Sequence, residues 1–193
     1  ISTSSKNKLL QIKKIFKYTT PKNIIMEKLI AQNLLEIQKI KKFLNNKKCN
    51  VWVNTQMRTY RFFNKLKKFL KNKKIKQIKL KGNDWGLACN SIHYIDLYSW
   101  LLNKEVSKIK LFCSPKKFYK SKRKGYCEFF GKLVVIFHDN LRLEINCKKE
   151  NKKGKILHEI KTENDKIIFD ESKNIIINKS KTLEIEAIQK MIF

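Results

Sequence analysis

No stretch of this chain approaches the roughly 18 consecutive apolar residues of a membrane-spanning helix, and its first residues do not resemble a signal peptide. A cytoplasmic location with no membrane contact is expected. Arginine is nearly missing: among 45 basic residues only Arg58, Arg61, Arg123 and Arg142 are arginines. Acid is scarce as well, with 16 Asp and Glu, and the formal net charge is +29. Taken alone, that charge points to nucleic acid. Proteins that read phosphate favour the planar guanidinium fork, however, and joint enrichment in Lys, Ile and Asn matches AT-rich codon usage. Solvated lysines on helix backs are therefore expected and a nucleic-acid partner is not; a basic nucleic-acid-binding module stands as the alternative from another functional class. The cysteines Cys49, Cys89, Cys113, Cys127 and Cys147 are odd in number, widely spaced and contain no CxxC. Reduced, buried thiols fit better than a disulfide framework. No internal repeat is present.

What the chain does contain is two kinds of periodicity. The hydrophobic content of 42% supports a packed core. Leu9, Ile12, Ile15 and Phe16 mark a helix ending at Tyr18, with Ser4 or Ser5 as its cap, and Thr19-Thr20-Pro21 breaks it. Asn23 to Met26 reads as a strand with Glu27 and Lys28 at its end. Leu34, Leu35, Ile37, Ile40, Phe43 and Leu44 mark a helix over 31–46. Asn50 to Asn54 is the next strand, and Tyr60, Phe63, Leu66 and Leu70 mark a helix over 57–72. Strand–helix alternation of this kind builds parallel α/β units. Ligands sit beyond the carboxyl ends of such strands, where Ser2, Thr3, Ser4, Glu27, Lys28 and Asn54 lie. From Ile75 the period changes to two. Strands are expected over 75–81, 106–113, 126–130, 133–138, 141–147, 156–160, 166–169, 175–177 and 183–185, with a basic loop over 116–124. This is an antiparallel, α+β pattern.

Between the first of these strands and the second runs Gly82-Asn83-Asp84-Trp85-Gly86 and then a helix to Asn103. Cys89, His93, Asp96 and Trp100 recur at intervals of four, three and four and share one face. Ile92, Ile95, Leu97, Leu101 and Leu102 fill much of the rest, so the helix is expected to be buried. A carboxylate three residues from an imidazole can orient it and favour its charged form. Catalysis and a structural core histidine are both consistent with this spacing, whereas three mixed ligands on one helix do not make a metal site.

Together these stretches resemble the Gfo/Idh/MocA (glucose-fructose oxidoreductase / inositol dehydrogenase) family. Ile1 to Ser4 is similar to the family's strand ending in Ser-Thr-Pro, with Ser4 replacing Pro. Met26-Glu27-Lys28-Leu29 is similar to its Glu-Lys-Pro signature, with Leu29 in place of Pro. Asn54 to Arg58 and Gly86 to Asp96 are similar to two further signatures, the second with Cys89 where an Asp is usual and Ser91 where a Gly is usual. The resemblance implies the C-terminal part of a Rossmann-type parallel sheet (residues 1–73) followed by an α+β domain with a large, mostly antiparallel sheet (74–193). It implies NAD or NADP as cofactor and hydride transfer on a sugar-like substrate, nucleotide-linked sugars included. Lys28, His93 and Asp96 would be catalytic. Ser2, Thr3, Ser4, Glu27, Lys28 and Asn54 would touch the cofactor, and Arg58, Cys89 and Asn90 the substrate. A homo-oligomer through the C-terminal sheet is also implied. The family's Gly-x-Gly-x-x-Gly is absent: no glycine precedes Gly82. A fragment, or an inactive truncated relative, is the expectation that follows.

Overall fold

The computed structural model describes residues 1–113, 118–121, 124–150, 156–171, 175–178 and 182–184. The chain divides into two compact units, Ile1–Gln56 and Met57–Phe193.

The first unit contains α1 (Lys8–Tyr18), β1 (Asn23–Glu27), α2 (Leu34–Asn46) and β2 (Asn50–Asn54). β1 and β2 are parallel, with Asn23 opposite Asn50 and Glu27 opposite Asn54. Ile1 donates to the Ile25 carbonyl at 2.6 Å and accepts from the Glu27 amide at 3.1 Å, the two bonds of a parallel ladder centred on Met26. Ile12, Ile24, Met26, Ala31, Ile40, Leu44 and Cys49 form the core. Asn7, in a left-handed conformation, precedes α1 and makes no side-chain cap, so neither Ser4 nor Ser5 starts that helix. α2 begins later than its apolar pattern implied, because the Asn33 side chain accepts from the Glu36 amide at 2.8 Å; an Asn followed three residues on by Glu is a helix-start signature. Leu34, Leu35 and Ile37, expected on the packed side of α2, are exposed, and Ile40 and Leu44 do the packing.

The second unit opens with α3 (Arg61–Leu70), followed by β3 (Ile75–Asn83) and α4 (Leu87–Leu102). The strands β4 (Val106–Phe112), β5 (Phe118–Lys120), β6 (Cys127–Phe129), β7 (Gly131–Phe137) and β8 (Arg142–Lys148) come next. β9 (Leu157–Thr162), β10 (Lys166–Asp170), β11 (Ile175–Asn178) and β12 (Thr182–Glu184) complete it. Eight strands form one sheet in the order β12-β11-β10-β9-β3-β8-β7-β4. Its ladders are antiparallel except β3 with β8. The expected fold class, parallel strand–helix units followed by a largely antiparallel sheet, is the observed one. By compactness the first unit ends at Gln56. Phe62, Phe63, Leu66 and Leu70 of α3 join the core of the large sheet. An amphipathic stripe specifies that a helix packs, not against which sheet. The expected basic loop over 116–124 contains β5, which pairs with β6 as a hairpin; 114–117 and 122–123 lie outside the described residues. The last expected strand is β12, with Ile185 outside the described residues.

Alternation on the central strands sets the inner face. Ile78 and Leu80 of β3, Leu143, Ile145 and Cys147 of β8, and His158 and Ile160 of β9 are buried. We expect Leu80→Ala to cost about 2–5 kcal/mol in urea denaturation, while Lys81→Ala, on the opposite face of the same strand, changes stability by less than about 0.5 kcal/mol. Equal losses at the two positions would contradict the assigned faces.

Candidate active site

The ends of the parallel strands in the first unit gather polar side chains as expected. Asn54, at the end of β2, donates from Nδ2 to Glu27 Oε1 at 2.6 Å. Glu27 closes β1 and Lys28 follows it, with a cis peptide joining Lys28 to Leu29. The ladder register sends Ser2, Thr3 and Ser4 out at this same end. The Lys8 ammonium, buried in α1, donates to the Thr3 carbonyl at 2.8 Å and to Thr3 Oγ1 at 3.0 Å, and Thr3 Oγ1 also donates to Gln11. Thr3 is thus held from α1, and the unit offers a fixed rim of hydroxyl, carboxylate and amide groups.

In the second unit the site is built on α4. Its buried face carries Leu87, Ser91, Tyr94, Leu97, Tyr98 and Leu101. Two of those are tyrosines, whose hydroxyls must find partners once out of water. His158, fully buried on β9, lies 2.8 Å from Tyr98 Oη through Nδ1 and 2.9 Å from Glu171 Oε1 through Nε2. In the tautomer that donates from Nε2 to Glu171, Nδ1 accepts from the Tyr98 hydroxyl. Tyr94 donates to Glu171 Oε2 at 3.3 Å. Burial, then the Glu171 charge, pushes both phenols well above their ordinary range. Phe169 stacks on His158 with ring centres 4.3 Å apart.

With that face committed to the sheet, Cys89, His93, Asp96 and Trp100 fall on the less buried side. The helix is therefore not enclosed all round, as its apolar content implied. Cys89 is exposed, whereas His93 is half-buried with its Nδ1 enclosed by protein. Of the other cysteines, Cys127 is exposed, while Cys49 and Cys147 are buried, so burial of the thiols as a group does not hold. The two oxygens of Asp96, expected to orient His93, both accept from Arg58, from Nε at 2.7 Å and from Nη2. This pair raises the Arg58 guanidinium above its ordinary value against the opposing effect of burial. Arg58 and Asp96 thus hold each other. Farther along, Lys67 sits over the Trp100 ring, 4.1 Å from its centre. Cys89, at the N-terminal end of the stripe, is its exposed member.

That end is fixed by Glu128, a residue the sequence did not single out. Glu128 of β6, buried, accepts from the Ala88 amide at 2.8 Å and the Cys89 amide at 3.0 Å. A carboxylate on two first-turn amides also complements the helix dipole. Gly86 has φ +77 and lies so close that an added Cβ would sit 3.2 Å from Glu128 Oε1. Asn90, expected to touch substrate, donates from Nδ2 to the Trp85 carbonyl at 2.6 Å. The Trp85 indole in turn donates to the Asn146 carbonyl at 3.2 Å. Among the described residues, no group of three or more His, Cys, Asp or Glu side chains is placed to hold a metal ion. None of the described helices is long and apolar enough to cross a membrane.

Solved structures share this fold. A dehydrogenase (MviM) from Clostridium difficile superposes on 97% of the chain with a TM-score of 0.69 and 15% identity. The fold is that of the Gfo/Idh/MocA-type oxidoreductases. UDP-N-acetylglucosamine 3-dehydrogenase GnnA from Acidithiobacillus ferrooxidans matches 98% of the chain with a TM-score of 0.73 and 8% identity. Biliverdin reductase from Synechocystis, solved with biliverdin and NADP+, matches 88% with a TM-score of 0.67 and 11% identity. The chain spans 62%, 64% and 58% of these three proteins' own lengths. No family model and no curated protein matches the sequence.

If Glu128 anchors α4, Glu128→Ala should lower stability by about 1–3 kcal/mol, and Glu128→Gln, which keeps one acceptor, by less. Urea denaturation checks both. In a double-mutant cycle, Arg58→Ala and Asp96→Asn should couple by about 0.2–1 kcal/mol, as a partly exposed ion pair does. Strict additivity would mean the pair contributes nothing.

Proposed function

We propose that the protein is an NAD(P)-dependent oxidoreductase acting on a carbinol carbon of a small sugar-like molecule. The observation that carries the reading is the fold match over nearly the whole chain to dehydrogenases, one of them named for a sugar nucleotide. It is joined by a polar rim at the parallel strand ends and by His93 on the less buried stripe of α4. A nicotinamide cofactor, when bound, accepts or gives the hydride. Ser2, Thr3, Ser4, Glu27, Lys28 and Asn54 suit its nicotinamide and ribose end, since they supply hydroxyl, carboxylate, ammonium and amide groups at the strand termini where α/β sheets bind ligands. His93 takes the hydroxyl proton from the substrate as the carbon–hydrogen bond breaks. Lys28, just past the end of β1, supplies an ammonium suited to stabilising negative charge that develops on a substrate oxygen. Arg58 and Asp96 act as one clamped pair that positions α4, while exposed Cys89 faces the substrate space.

Lys28→Ala and His93→Ala should each lower kcat/KM by about a hundredfold or more. A loss in kcat rather than in KM alone would assign each side chain to the transition state. Steady-state reduction of NAD+ or NADP+ by sugars and nucleotide-linked sugars reads this directly. Turnover that survives both changes would return His93 to a structural role.

The 193 residues contain no glycine-rich phosphate cradle, and such a loop at a helix N-terminus supplies the main pyrophosphate contacts. Calorimetry on this chain should therefore give NAD(P) affinity weaker than about micromolar. Tighter binding would require a pyrophosphate site of another kind.

A further inference from the structure

Beside the β5–β6 hairpin, a groove of about 700 Å3 opens, lined by Phe112, Phe118, Tyr119 and Phe130 with Lys148 and Lys149. Its aromatic content is unusual for a charged surface. Phe112 and Phe118 are 55% and 52% exposed, although large apolar side chains of soluble proteins are normally covered. Tyr119 and Phe130 stack face to face beside them, 4.5 Å between centres and 14° between planes. The room depends on Gly131: an added Cβ there would come within 2.5 Å of the Phe112 carbonyl oxygen. Burial, with nearby Glu128, Cys147 and Asp84, pushes the Tyr119 phenol up to about 12, so it remains a neutral ring at physiological pH.

The charges around the groove are divided. Glu128 is committed to the α4 amides, and Asp84 accepts from the Glu150 amide at 2.8 Å. Lys132, also at the groove, is engaged by Glu144 at 2.8 Å. Among the described residues Lys148 and Lys149 have no carboxylate partner, so two uncommitted lysines line the groove together with the aromatic side chains. Flat π-surfaces beside paired cations match a heteroaromatic base joined to phosphates. The volume lies within the roughly 300–1,000 Å3 of small-molecule sites.

We propose that this groove binds the nucleoside diphosphate part of a nucleotide-linked small molecule, base against the aromatic rings and diphosphate against Lys148 and Lys149. The inference deepens the oxidoreductase reading and rests on it only in calling that molecule a substrate.

The test is isothermal titration of the whole chain with UDP, ADP, uridine and inorganic pyrophosphate. Both nucleoside diphosphates should bind saturably at one site and more tightly than uridine or pyrophosphate. Lys148→Ala/Lys149→Ala should weaken UDP by about tenfold or more, the loss expected for hydrogen bonds between charged groups. Phe118→Ala should weaken UDP by about tenfold while leaving pyrophosphate unchanged; Phe118→Leu keeps the apolar bulk and separates stacking from any loss of fold. Pyrophosphate binding as tightly as UDP would reduce the groove to a patch for anions and overturn the proposal. So would a single-stranded oligonucleotide binding through the same lysines when UDP does not, or no binding at all. UDP binding without any hydride transfer would remove the oxidoreductase reading and keep the groove. Turnover of free sugars without UDP binding would do the reverse.

Discussion

Two tyrosine hydroxyls on the buried face of one helix set the terms for the second unit. Leaving either unpaired out of water would cost several kcal/mol on transfer scales. Tyr98 and Tyr94 therefore fix α4 in rotation against β9 and the residue after β10, where His158 and Glu171 supply acceptors. His158 can serve only because Glu171 holds its other nitrogen. The apolar neighbours Leu87, Leu97 and Leu101 add burial on the same face. Packing alone would tolerate a helix turned by a fraction of a residue; a hydrogen-bonded chain of four side chains tolerates much less.

The placement of the Cys89, His93, Asp96 and Trp100 stripe is a consequence of that rotation. With the tyrosines inward, Cys89 is exposed in the first turn, which Glu128 and Gly86 fix, and His93 is half-buried one turn later. Arg58 then takes both oxygens of Asp96, and Lys67 covers Trp100. The chemistry proposed for His93 thus depends on a core network that contains none of the reacting groups. Precise placement of an acid/base comes from such supporting contacts.

Period was legible in the sequence, whereas partnership was not. Alternation over Ile78 and Leu80, and over Leu143, Ile145 and Cys147, identified the strands and the sheet's inner face because a half-buried strand must repeat every two residues. Glu27 and Asn54 were placed correctly at the strand ends for the same local reason. The contacts that define the site come from far along the chain. Asp96 lies 38 residues from Arg58, Glu128 lies 40 from Ala88, and His158 lies 60 from Tyr98. No spacing rule on α4 contains them. The spacing of His93 and Asp96 suggested a pair, but an arginine with a forked donor set competes strongly for a carboxylate. α3 was read with the first unit because its amphipathic stripe is silent about its sheet, and Asn33 carried a start signal for α2 that the apolar count at Leu34, Leu35 and Ile37 outweighed.

The central claim is that this fold moves hydride between a carbinol carbon and a nicotinamide. Isotope tracing tests it most directly. A sugar substrate deuterated at the reacting carbon would be incubated with NAD+ or NADP+ and the protein, and the recovered cofactor analysed by mass spectrometry. The account predicts deuterium on the nicotinamide ring, transferred from that carbon without exchange with water. Product formation with the label released to solvent, or no transfer to either cofactor across sugars and nucleotide-linked sugars, would contradict it.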